Sequence, residues 1–259
     1  MNFSNTLFRC SSIGHIMVEP NTKTAKERGD LSETCKTHLI DVFVSNKYNR
    51  QTDIQNKYVQ KGLMVEEDSI TLYSRFKKTF FLKNTLHLSN DFIKGTPDLF
   101  IGDSILKSDT IIDIKSSWDI FTFFRNYTKD INTHYYWQLQ GYMALSGASK
   151  SILAYCLIDT PNVLIEDEKR KLLYKMNAGT ELNEDYIQAC EELERVMTFI
   201  DIPISDRVIE FTVDRNEEDI QRIYSRVIKC REYLNELEAR LNPVFVADYD
   251  KEVSTIVIE

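Results

Sequence analysis

A chain of 259 residues, 28% charged and 42% hydrophobic, has an ordinary globular composition and is long enough to bury a sizeable core. No apolar run approaches the roughly 20 residues of a membrane span, and the N-terminal stretch lacks a basic segment followed by an apolar one, so no membrane contact and no secretion are expected. The net charge of −8 is unevenly placed: residues 1–60 carry 8 basic and 6 acidic side chains, residues 61–150 carry 11 and 10, and residues 151–259 carry 13 and 24. The acidity is confined to the C-terminal two-fifths, which leaves the first 150 residues able to face a polyanion. Five scattered cysteines (Cys10, Cys35, Cys156, Cys190, Cys230) form no CxxC pair. Neither a zinc site nor an iron–sulfur cluster is expected, and a reducing, cytoplasmic compartment is.

In chain order, "GDLSETCKTHLIDVFVSNKY" reads as a helix opened by a capping box of Asp30 and Glu33. A second helix is expected from about Thr52 to Phe76, followed by short strands at "TFFLK" and "TLHLS". Two further strands, "TPDLFIG" and "TIIDIKSS", are separated by turn residues. "NTHYYWQLQGYMALSG" is a helix ending at Gly147, and "SILAYCLID" is a buried strand stopped by Pro161. Beyond Pro161 the pattern is helix, helix, strand and one long amphipathic helix. Residues 1–160 are expected to form an α/β core and residues 161–259 a helical extension packed on it within the same domain.

The two central strands carry charge where strands usually do not. Side chains alternate along a strand, so Asp113 and Lys115 share one face while Ile112 and Ile114 take the other. A hairpin would bring Asp98 beside Asp113. Two carboxylates so placed repel unless a hard divalent cation lies between them, and a neighbouring lysine can orient a water and offset charge growing on phosphorus. The bland alternative is an ion pair at a strand edge.

Gly95, Pro97-Asp98, a 14-residue gap and Asp113-Ile114-Lys115 resemble the PD-(D/E)xK nuclease motif in its Asp-x-Lys form. "KGLMVEEDSITLY" resembles the G-x-x-x-E helix of lambda-exonuclease-like and YqaJ-like phage recombination nucleases, placing Gly62 and Glu66 in that pattern. "QLQGY" resembles the Q-x-x-x-Y helix of RecB-type nucleases, with Gln138 and Tyr142 four apart on one helical face and Gln140 as a second choice. The resemblance covers about residues 5–160. It implies a restriction-endonuclease-like core, a central mixed sheet flanked by helices. It further implies a DNA nuclease, of the phage exonuclease kind, using Mg²⁺ or Mn²⁺. Glu66, Asp98, Asp113 and the Ile114 carbonyl would hold the metal, Lys115 would position the water, and Gln138 and Tyr142 would complete the site. Gly62 would let its helix approach the sheet closely.

Arg75, Lys77, Lys78 and Lys83 form the densest basic patch and are candidate phosphate contacts. "RCSSIGHIM" resembles the entry segment of lambda-type exonucleases, which adds Arg9 and Ser12. Trp118 and the Tyr135–Trp137 cluster are read as core, and His15, His38, His87 and His134 as isolated residues with no metal role. Family likeness also implies a homo-oligomer and a single-strand annealing recombinase as partner. The rival functions are a structure-specific endonuclease and a non-catalytic DNA-binding or interaction module with a decayed site.

Overall fold

The computed structural model describes the backbone of residues 1–51 and 56–255, with side chains through residue 241. In chain order the elements are β1 (Phe8–Arg9), α1 (Ile13–Ile16), α2 (Lys23–Arg28), α3 (Glu33–Tyr48), α4 (Lys57–Met64), α5 (Glu66–Lys77), β2 (Leu88–Ser89), β3 (Ile93–Gly95), β4 (Leu99–Ile101), β5 (Thr110–Ser116), α6 (Ile120–Tyr127), α7 (Thr133–Ser146), β6 (Lys150–Cys156), α8 (Asn162–Met176), α9 (Glu184–Arg195), β7 (Val208–Asp214) and α10 (Glu217–Thr255).

Alternation along the strands decides how the larger sheet is covered. Its order is β4-β5-β6-β7, antiparallel, parallel and antiparallel in turn, with α6 and α7 making the crossover between β5 and β6. Ile112 and Ile114 of β5, with Leu99, Ala154 and Cys156, face Ile70, Leu72 and Tyr73 of α5. Ile111, Leu153 and Tyr155 belong to the other core, with Leu139, Tyr142 and Met143 of α7 and the N-terminal residues Ile13 and Ile16. This is a mixed sheet flanked by helices, as the resemblance implies. A smaller sheet of order β1-β3-β2 holds the N-terminal strand beside Ile93 and Lys94.

Several local expectations are corrected. The cap of α3 is Ser32, whose hydroxyl accepts from the Cys35 amide at 3.1 Å, while Asp30 pairs with Arg28 at 2.7 Å. Asp30 lies two residues outside the cap and cannot reach the first-turn amides. The single helix expected from about Thr52 is two, α4 and α5, broken at Val65; residues 52–55 lie outside the described residues. Val65 turns inward, and Glu66, Glu67 and Asp68 then make a favourable acidic first turn for a new helix. "TFFLK" is no strand: Phe80 and Leu82 are 82% and 73% exposed, with no sheet face to receive their alternation. Gly62 is not a close-packing glycine, since a Cβ there would meet nothing within 4 Å. Finally β7 pairs with β6 along all seven residues, so the C-terminal part adds a strand to the central sheet as well as helices.

Candidate active site

Asp98 lies one residue before β4. The β4–β5 register pairs Leu99 with Ile112, and one further step sets Asp98 opposite Asp113. The Asp98 Oδ2 accepts from the Ile114 amide at 2.7 Å, which ties the two strand ends together. Its backbone is clamped from outside the sheet by buried Asn84, whose amide donates to the Asp98 carbonyl at 2.7 Å and whose Nδ2 donates to the Pro97 carbonyl at 2.8 Å. Asn84 carries no signal in the sequence, being a lone Asn in an irregular segment.

Asp113 is 2% exposed, and both of its carboxylate oxygens have a neighbouring side chain. Gln138 Nε2 donates to its Oδ1 at 2.9 Å, and Lys115 Nζ sits 2.6 Å from its Oδ2. Gln138 Nε2 also lies 3.1 Å from the Tyr142 hydroxyl, so the i and i+4 positions of α7 act on the site together. Tyr142 is seated by the smaller sheet: a Cβ on Gly95 would come within 2.6 Å of its Cε1. Burial first, then the charge of Asp113, pushes Asp98 up to about 7, against the opposing pull of Lys115. For Lys115 burial favours the neutral amine, but the charges of Asp113 and Asp98 outweigh it and hold the ammonium above its ordinary range. Its Nζ also stands 5.2 Å from the centroid of the Tyr135 ring.

Asp98, Ile114 and Lys115 open onto a cavity of about 530 Å³, which Tyr58, Val59 and Leu63 of α4 and Trp118 also line. Glu66, at the start of α5, lines the same cavity, but its carboxylate is taken by Lys83 at 2.5 Å. Among the described residues no three His, Cys, Asp or Glu side chains are gathered as a metal-holding group, so Glu66 does not join the two aspartates in this arrangement. The two carboxylates that face each other are oxygen donors, and Lys115 offsets the negative charge of the pair. That set fits a hard divalent cation.

The remaining expectations divide. Gln140 is buried and serves the fold: its Nε2 donates to the Asp214 carbonyl and its Oε1 accepts from the Asn216 amide, both at 2.9 Å, leaving nothing for a nucleic acid. Arg75 and Lys78 are exposed, whereas Lys77 is tied to Glu210 at 3.2 Å and Lys83 to Glu66, so half of the basic patch is already paired. Arg9 is exposed on β1, and the Ser12 hydroxyl donates to the Arg9 carbonyl at 3.0 Å. Three of the four histidines are not isolated: the His15 ring centroid is 5.3 Å from that of His38 and 4.8 Å from that of His134. Positions 23 and 119 residues beyond His15 gave no hint of this meeting. Trp118 packs with Leu164, Ile165 and Met197 while showing one side to the cavity.

Among the described residues no helix is long and apolar enough to cross a membrane. No protein-family model matches the sequence, and no curated protein matches it. Solved structures do. The chain is similar to a phage related exonuclease from Haemophilus somnus 129PT, with 26% identity and a TM-score of 0.70 over 92% of this chain and 97% of that one. It is similar in fold to an alkaline exonuclease from Laribacter hongkongensis, with 13% identity and a TM-score of 0.60 over 94% and 95% of the two chains. The complex of that exonuclease with dAMP gives 14% identity and the same TM-score and coverage. The fold built around Asp98 and Asp113 is therefore one that phage-related and alkaline exonucleases share.

Proposed function

We propose that this protein is a metal-dependent DNA exonuclease of the PD-(D/E)xK type. The observation that carries the reading is the facing pair Asp98 and Asp113, with Lys115 Nζ 2.6 Å from the Asp113 carboxylate at the mouth of a cavity large enough for a nucleotide. The likeness to two exonucleases, one of them crystallised with dAMP, supports DNA as the substrate.

Asp98, Asp113 and the Ile114 carbonyl would hold Mg²⁺ or Mn²⁺, with Glu66 joining by exchanging Lys83 for the cation. Once bound, such a cation supplies Lewis-acid polarisation of the phosphate and a more acidic water. The chain does the rest. Gln138 fixes the Asp113 carboxylate so that its other oxygen faces Lys115. Lys115 orients the water that attacks phosphorus and offsets charge on the phosphoryl oxygens as the bond to the leaving oxygen breaks. Tyr142 braces Gln138.

The test incubates the protein with 5′- and 3′-labelled linear duplex, single strand and closed circle, in Mg²⁺ and in EDTA. Shortening of linear DNA from an end, in Mg²⁺ alone and with the circle spared, is expected. Cutting of the circle would replace the reading by a structure-specific endonuclease. Absence of cleavage in every arm would leave a binding module.

A further inference from the structure

Lys61 is 1% exposed and is the buried residue of α4, a helix that otherwise turns Tyr58, Val59, Leu63 and Met64 largely to the surface. Its Nζ donates to the Trp118 carbonyl at 2.9 Å, an oxygen that Thr160 Oγ1 also approaches at 3.3 Å. Otherwise the amine faces rings, with the Phe199 centroid at 5.6 Å and that of Trp118 at 6.0 Å. Burying an ammonium with so few partners costs free energy that methionine, of similar volume, would not.

The same helix grips Trp118 in two further ways. Lys57 Nζ stands 4.6 Å from the indole centroid, and the Tyr58 ring meets it edge-on at 5.5 Å. An eight-residue helix has little stability of its own and depends on such contacts. Tyr58, Val59, Gly62 and Leu63 then line the same cavity as Asp98 and Lys115.

We propose that Lys61 is a positioning residue that anchors α4 on the Trp118 carbonyl and thereby sets the apolar wall against which the DNA strand lies at the active site. The inference rests on the nuclease reading above. The charged groups around the amine are Asp119, Asp159, and Lys57 with its partner Glu168. Asp119 is engaged by the Thr122 amide and Asp159 by the Phe199 amide, so neither carboxylate is given over to Lys61. Burial outweighs their attraction and pulls the amine down to about 7. The docked helix therefore binds fewer protons than the undocked one between pH about 7 and the ordinary lysine value of 10.5, and docking strengthens as pH rises through that window.

The experiment follows amide exchange of residues 58–63 in DNA-free protein from pH 6.5 to 9, corrected for intrinsic rates, alongside steady-state cleavage. In the parent, protection of α4 should rise by up to about tenfold per pH unit above about 7. In Lys61→Met it should be flat, with KM for DNA raised and kcat little changed. Parent protection that does not change with pH, or a variant that keeps both the pH dependence and the parent KM, overturns the anchor. The parent series alone decides this point if the variant does not fold. A pH-dependent α4 in a protein that cleaves no DNA would sink the nuclease reading and leave the anchor standing.

Discussion

Gln138 on α7 places its Nε2 2.9 Å from the Oδ1 of Asp113 on β5, so the helix that covers the sheet also holds the carboxylate at its centre. The hydrogen bond runs between two buried groups and gives each a partner in a place where water does not supply one. Replacing Gln138 by Leu removes the donor and leaves the acceptor buried. The expected cost is about 1–3 kcal/mol in urea denaturation, with cleavage reduced alongside. An unchanged midpoint would show that the bond is not formed in solution.

Asp113→Asn keeps the size of the side chain and a carbonyl oxygen for Gln138, but removes the charge facing Lys115. Cleavage should fall by several orders of magnitude while the circular dichroism of the fold is kept. Activity within tenfold of the parent would overturn the assignment of Asp113.

Lys115→Met should leave DNA affinity nearly intact and abolish turnover, because the lost interaction belongs to the transition state more than to the bound substrate. Binding by anisotropy in Ca²⁺ and single-turnover cleavage in Mg²⁺ separate the two. Parallel collapse of binding and rate would make Lys115 a phosphate clamp instead.

Affinity for duplex should fall with salt in spite of the acidic composition, each phosphate contact adding about −0.9 to the slope of log K against log [salt]. Since Lys77 and Lys83 are engaged by Glu210 and Glu66, the exposed cations Arg75 and Lys78 are the ones to change. The double replacement by Ala should flatten the slope by up to about two units. A slope untouched by it would place the DNA elsewhere.

Two glycines make opposite predictions. Gly95→Ala forces a Cβ to within 2.6 Å of the Tyr142 ring, whose hydroxyl supports Gln138, and should cost about 1–3 kcal/mol with a loss of rate. Gly62→Ala adds a methyl to open space inside a helix and should stabilise by about 0.5–1 kcal/mol. Denaturant titration of the two variants checks both signs.

His38 and His134 are held below the ordinary histidine value of 6.5, by burial first and then by the charge of His15. The unfolded chain therefore takes up these protons before the folded one. Stability should decline as pH drops below about 6.5 and continue to do so until the folded-state values are passed. His15→Gln should shallow that decline. An identical acid profile in the variant would mean the three rings do not interact.

The central strands and the face that carries Asp113 and Lys115 were legible because both follow from local spacing. Asp113 and Lys115 are two apart on a strand, Gln138 and Tyr142 four apart on a helix, and periodicity alone puts each pair on one side. What periodicity does not carry is the identity of the partner across a gap. The engagement of Glu66 by Lys83, the clamp of Asn84 on Pro97 and Asp98, and the burial of Lys61 each join residues 13 or more apart. The break at Val65 was missed because α4 and α5 have compatible helical patterns on either side of it. Gln140 entered only as a second choice beside Gln138 in the resemblance to RecB-type nucleases; the 100° step between helical residues turns it toward β7 instead.

The seven-residue pairing of β7 with β6 bears on how the chain tolerates being cut. Trimming after residue 160 would strip β6 of its outer neighbour and bare a row of backbone donors and acceptors along the strand that runs beside Asp113. An uncovered edge of that kind recruits other strands. A shortened protein should therefore self-associate, and Gln140, robbed of Asp214 and Asn216, would loosen the very helix on which Gln138 rides.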